Sequence, residues 1–159
     1  MLVGSALSGG TGCGKGREHA GERPVVFVCE HGAAKSVIAA ALFNARASAR
    51  NLPFRAESRG VVPDPNLLPQ AVAGLRADGL NAGPEVPVRV APEDIDSAMV
   101  VVAFDPLPPD LAAKAPTQLW KVPPVSVDYG AARDAMIPRI DALLDDLAHR
   151  HRRERSNEK

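Results

Sequence analysis

Residues Val25 to Ala41 constrain the fold more than any other stretch. They read Val-Val-Phe-Val, then Cys-Glu-His-Gly-Ala-Ala-Lys-Ser, then Val-Ile-Ala-Ala-Ala. Four consecutive apolar residues, mostly β-branched, predict a short strand buried on both faces. Val37, Ile38, Ala41, Leu42 and Ala45 recur at helical spacing and predict a helix running to about Ala49. A strand that feeds a helix through a compact loop aims backbone N–H groups and the positive end of the helix dipole at an anion. A cysteine in such a loop has its thiolate stabilised, and a thiolate is a nucleophile. The function is expected in this loop.

The rest of the chain alternates between the two periodicities. Asn51-Leu52-Pro53 breaks the first helix, and Phe54 to Ser58 predicts a second strand. A proline-containing loop from Arg59 to Pro65 follows. Leu68, Ala71, Val72 and Leu75 predict an amphipathic helix stopped by Asp78-Gly79. Ala91-Pro92-Glu93-Asp94 has the composition of a helix start. Ala98 to Phe104 is the longest apolar run and predicts a central strand, ended by Asp105-Pro106. A short helix near Asp110 to Lys114 and a last strand over Gln118 to Val122 are expected next. Ala132, Met136, Ile140, Leu143, Leu144 and Leu147 describe a long terminal helix. Pro138 is expected to kink it or to mark where its regular part begins. Strands alternating with helices predict an α/β fold with a parallel sheet covered on both faces. Ligands of such sheets sit at the carboxyl ends of the strands. Cys29, Arg59 and Asp105 each fall at or just past such an end.

A length of 159 residues predicts one domain. Residues 1–23 read as a disordered leader, 24–150 as the folded domain and 151–159 as a charged tail. Within the leader, residues 9–16 approach a nucleotide-binding phosphate loop. Gly16 stands where that loop needs Ser or Thr, so a flexible tail is the favoured reading. Two cysteines, Cys13 and Cys29, provide neither a disulfide framework nor a zinc quartet. Nineteen basic and nineteen acidic residues leave no global field to select nucleic acid or a membrane surface. No apolar run approaches the ~18 residues of a membrane span. A cytoplasmic protein without metal or cofactor is expected, with oligomeric state left open.

Cys29, five intervening residues, Lys35 and Ser36 resemble the C-x5-R-S loop of the low-molecular-weight protein tyrosine phosphatases. The same loop occurs in the arsenate reductases built on that fold. Ala56-Glu57-Ser58-Arg59-Gly60 is similar to the segment after the family's second strand. Trp120, Val122-Pro123 and Tyr129 to Asp134 look like its final loop and terminal helix. The resemblance spans about Val25 to Leu147 and implies a three-layer fold with a four-stranded parallel sheet. It implies Cys29 as nucleophile and Ser36 as the hydroxyl supporting its thiolate, with Lys35 in the place of the anion-gripping arginine. It also implies that Glu30, His31, Gly32, Ala33, Ala34 and Lys35 form the anion-binding loop. Phosphate, arsenate or a phosphorylated substrate is the implied partner.

The departures are as informative as the matches. Lysine keeps the charge but loses the planar fork that grips two oxygens, at a cost of about 1–3 kcal/mol in the transition state. Glu30 sets a carboxylate beside the nucleophile, opposing thiolate and anion alike. His31 offsets it only when protonated, and it reads as a solvent-facing loop residue. Gly32 can adopt the unusual backbone shape for which the family uses asparagine. The family's general-acid aspartate is missing, because the chain reads Trp120-Lys121-Val122-Pro123-Pro124-Val125. Asp128 reaches in only if the loop is rearranged. Asp105 is read first as a turn or loop cap, and Arg59 as either a replacement guanidinium or a surface residue. Arsenate reduction needs a second thiol. Cys13 is a weak candidate for it, and an external small thiol the better one. Three readings remain open: a weakened phosphatase of phosphotyrosine type, an arsenate reductase using an external thiol, and an inactive oxyanion- or phosphoprotein-binding domain.

Overall fold

The computed structural model describes residues 23–112 and 116–159. The expected leader up to residue 22, with residues 9–16 and Cys13, lies outside the described residues, as do 113–115 of the expected short helix. Along the described chain the elements are β1 (Val25–Cys29), α1 (Lys35–Ala49), β2 (Ala56–Gly60), α2 (Pro69–Ala77) and α3 (Pro92–Asp96). They continue with β3 (Val100–Ala103), β4 (Thr117–Leu119) and α4 (Tyr129–Asn157). The strands form one parallel sheet in the order β2-β1-β3-β4. This is the expected α/β architecture, with helices on both faces.

Burial on both faces explains why β1 and β3 are unbroken apolar runs. Val25, Phe27 and Cys29 face the larger core beneath α1, α2 and α4. Val26 and Val28 face a smaller one completed by Val90, Ile95 of α3 and Leu111. Phe27 anchors the larger core, its ring centroid 6.0 Å from that of Phe43 and 5.7 Å from that of Trp120. Trp120 is therefore a core residue, only 4% exposed.

Element ends differ from the expected ones where tertiary contacts decide them. The second strand was expected over Phe54 to Ser58 and lies two residues later. The Asn44 side chain of α1 brackets Ala56, accepting from its N–H at 2.7 Å and donating to its carbonyl at 3.1 Å. Ala56 thereby sits opposite Val25, and pairing continues until Gly60 meets Cys29. The last strand spans Thr117–Leu119 rather than Gln118 to Val122, and Pro108 to Ala112 form a turn. Helix α4 runs unbroken through Pro138, beginning at Tyr129 and extending through the charged stretch to Asn157. The α1 stop falls where expected: Asn51 adopts a left-handed φ of 52°. The N–H groups of Asn51 and Leu52 then donate to the carbonyls of Ser48 and Ala47, a helix-terminating pair that asparagine tolerates.

Polar contacts align the helices over the sheet. Arg46 of α1 grips Asp141 of α4 through two bonds of 2.6 and 2.7 Å, and Arg50 pairs with Asp145. Tyr129 donates to Asp78 at 2.8 Å and Arg133 does so at 3.0 Å, joining α4 to the end of α2. Gly74 of α2 leaves room for the Tyr129 ring, since a Cβ there would lie 2.4 Å from it. The Arg46 guanidinium holds the Asp141 carboxyl below the usual carboxylate range. Asp141 thus contributes stability above its unfolded-state pKa, and that contribution is lost as pH falls through the depressed folded value. Both side chains are more than a third exposed, so screening limits the pair to about 0.5–1 kcal/mol. Asp141→Asn is expected to lower urea stability by about that much at neutral pH. The deficit should vanish once the medium is acid enough to protonate the wild-type carboxylate.

Candidate active site

The register of the sheet assembles the site. Cys29 ends β1 opposite Gly60, and Val28 lies opposite Ala103. The Phe104 N–H donates to the Val28 carbonyl at 2.9 Å, which brings Asp105 to the same edge as Cys29. Residues 30–34 then cross to α1 under a covering segment formed by 61–68. That segment takes up the loop's carbonyls. Val61, Val62, Asp64 and Leu68 donate their N–H groups to the carbonyls of Cys29, Glu30, His31 and Ala33, at 2.7 to 3.1 Å. The N–H groups that share peptide planes with these carbonyls are turned away from the covering segment, and that of Glu30 donates to Asp105. Helix α1 adds to this, having no side-chain cap and no acidic residue in its first turn. The positive end of its dipole is uncompensated.

Two glycines give the loop its shape. Gly32 has φ +62°, as expected for a residue replacing an asparagine of unusual conformation. It packs against Gly60 so closely that a Cβ on Gly60 would fall 2.6 Å from the Gly32 nitrogen.

Cys29 lies at the floor of a pocket of about 270 Å³, shared with Lys35, Asp64, Leu68, Asp105 and Val125. The Cys29 residue is 6% exposed, and its Sγ is 3.1 Å from the Oγ of the fully buried Ser36. A thiolate only accepts hydrogen bonds, so on ionisation of Cys29 the Ser36 hydroxyl becomes the donor. His31 stands at the exposed rim, Nδ1 3.4 Å from Asp64 and Nε2 3.8 Å from Glu30. A larger cavity of about 520 Å³ lies between α1, β2 and residues 79–88 and is lined by no cysteine. Among the described residues no group of His, Cys, Asp and Glu could hold a metal ion, and no helix is long and apolar enough to cross a membrane.

The structure separates the three auxiliary candidates. Arg59 is inside β2, not past its end, and the strand alternation turns it away from the pocket. It pairs with Glu57 at 2.9 Å and Asp94 at 3.1 Å and lines the larger cavity, so it does not replace the missing guanidinium. Asp128 is the N-cap of α4, accepting from the Ala131 N–H at 2.9 Å. Pro124, Val125 and Ser126 occupy the pocket wall in its stead. Asp105 does enter, and its Oδ2 accepts from the Glu30 N–H at 3.1 Å. Its cap-like bond is therefore made to the loop that follows Cys29. Asp64 and Leu68 were not foreseen as lining residues. No local pattern marks them, because only the fold of 61–68 over the loop carries them there.

The Gly32–Gly60 approach generates a direct test. Gly60→Ala is expected to cost about 1–3 kcal/mol through overpacking. It should also displace the amide resonances of residues 31–34 more than those of the distant α4, with Tm and amide spectra as the measurements.

The comparisons with known proteins agree with this geometry. A family model described as low molecular weight phosphotyrosine protein phosphatase matches residues 24–120, more than half of the chain. An arsenate reductase from Archaeoglobus fulgidus DSM 4304 shares 30% identity at a TM-score of 0.60. The match covers 76% of this chain and 98% of that one. The YwlE arginine phosphatase from Geobacillus stearothermophilus is 24% identical at a TM-score of 0.63, covering 80% and 94% of the two chains. A YwlE mutant from Bacillus subtilis is 22% identical at 0.66, covering 80% and 99%. At such identities the latter two show the fold alone. No curated protein matches the chain in sequence. Loop, register and matched family converge: the chain belongs to the low molecular weight phosphotyrosine protein phosphatase family.

Proposed function

We propose that the chain is a phosphomonoester hydrolase in which the Cys29 thiolate attacks phosphorus held in the loop from Glu30 to Lys35. The observation that carries this reading is the buried Cys29–Ser36 contact at 3.1 Å, on the floor of a pocket that also holds Lys35. The loop's N–H groups and the uncapped end of α1 suit an oxyanion whose charge grows in the transition state. In the first step an S–P bond forms as the ester P–O bond breaks. In the second, water attacks phosphorus, the S–P bond breaks, and phosphate leaves with the thiolate restored. Lys35 neutralises one equatorial oxygen as a point charge, without the two-point grip of a guanidinium.

Arsenate is the second reading, favoured by the arsenate reductase at 30% identity. There the thiolate displaces hydroxide from arsenic, and an external thiol completes a disulfide while arsenic takes up the two electrons. Cys29 is the only cysteine among the described residues, Cys13 lies outside them, and a small-molecule thiol is the second thiol this reading favours.

Cys29→Ser is expected to abolish a burst of aryl phosphate hydrolysis that the wild type shows, and equal inertness of both proteins across pH 5–8, chosen about the reference histidine pKa, would exclude the hydrolase. Arsenate-dependent consumption of a small thiol in place of the burst would establish the second reading. Phosphate binding without either reaction would leave a binding domain. Restoring the fork has its own expectation: Lys35→Arg should raise kcat/KM by about tenfold, in line with ~1–3 kcal/mol for a charge-assisted bidentate contact.

Ser36→Ala isolates the thiolate support. Loss of one hydrogen bond to a charged group, about 1.5 kcal/mol, is expected to slow alkylation of Cys29 at neutral pH by about tenfold. The circular dichroism should be unchanged, and an unchanged alkylation rate would place the hydroxyl outside the chemistry.

A further inference from the structure

We propose that Asp105 is the proton donor, and then the proton acceptor, of the reaction at Cys29. It takes the part that a carboxylate on the loop before α4 plays in the phosphatases this chain resembles. The inference rests on the thiolate reading and adds to it a residue that the loop motif does not contain.

Three observations carry it. Asp105 lines the Cys29 pocket, and its Oδ2 is 3.1 Å from the first N–H of the anion loop, that of Glu30. The competing carboxylates are otherwise engaged: Asp128 caps α4, while Glu30 and Asp64 flank His31 at the rim with at least half of each side chain in solvent. The loop before α4 meets the pocket through Pro124, Val125 and Ser126, none of which exchanges a proton near neutral pH.

The Glu30 contact also supplies a reason for the proton to move. Without substrate, Oδ2 of Asp105 accepts from that N–H. An arriving oxyanion competes for that N–H and frees Oδ2 of Asp105 to carry a proton and donate it. The other ionisable groups facing the pocket are Cys29, Glu30, His31, Lys35 and Asp64. The proton that leaves the Cys29 thiol on ionisation passes to Asp105. As the S–P bond forms and the ester P–O bond breaks, Asp105 returns it to the leaving oxygen. The resulting carboxylate takes a proton from the water that attacks phosphorus, and the S–P bond breaks. Protons and charge balance over the cycle without a further reactant.

Asp105→Asn is the test, because asparagine still accepts from the Glu30 N–H while lacking the proton. With phenyl phosphate, a poor leaving group, kcat is expected to fall by about 10²–10⁴. With a dinitrophenyl phosphate, whose leaving group needs no proton, the fall should stay within about tenfold. The basic limb of the kcat–pH profile should disappear, and inorganic phosphate should bind as tightly as before or more so. Asp105→Glu should retain part of the activity on phenyl phosphate. Asp128→Asn should keep the wild-type ratio between the two esters. Equal losses on both esters, or lost phosphate binding in Asp105→Asn, would make Asp105 a loop-positioning residue and overturn the proposal. A leaving-group-dependent loss in Asp128→Asn would overturn it as well. A wild type as inert as Cys29→Ser on both esters would instead overturn the thiolate reading, and this one with it.

Discussion

The site depends on β1 being an inner strand of a parallel sheet. Its backbone groups have to be paired because no water reaches them, and β2 and β3 pair them from either side. Parallel pairing in register makes the three strands finish at the same level. Residues far apart in the chain, Glu30 and Asp105 among them at a separation of 75, are thereby delivered to one edge. The carboxyl edge of a parallel sheet is where α/β folds place ligands, and here the pairing of Cys29 with Gly60 sets its height.

On that edge one helix forgoes a stabilising contact. An N-cap side chain is worth about 1 kcal/mol to a helix, yet α1 begins without one. Its alanine-rich sequence, its buried face and its closed C-terminus hold the helix without the cap. The loop before it is held from outside, by four N–H groups from the covering segment. A loop anchored through its carbonyls has the N–H groups of the same peptide planes fixed in direction as well. Such preorganisation is what makes fixed dipoles effective in stabilising developing charge.

Much of this was legible beforehand because it is local. The apolar run of β1, the helical spacing after Lys35, and the stops at Asn51 and Gly79 depend on neighbouring residues alone, and all are found. The strand over 56–60 was displaced by two residues in the sequence reading, because the bracket from Asn44 is a contact between distant elements. Pro138 does not mark where the regular part of α4 begins, since the helix starts at Tyr129. A single proline removes one helix hydrogen bond, and the apolar face of α4 from Ala132 to Ala148, buried against the core, outweighs it.

The sequence by itself determined that a cysteine would stand at the end of a buried strand with a lysine and a serine entering the next helix. Those residues lie within eight positions of one another and share one strand–loop–helix unit. It left the auxiliary groups open, and only the tertiary structure decided among them. Arg59 turns away because β2 extends one residue past it, and strand alternation then assigns its face. Asp128 is consumed by the first turn of α4. Asp105 enters because Phe104 pairs with Val28. Where a side chain points follows from register and capping, and both are settled by partners far away along the chain.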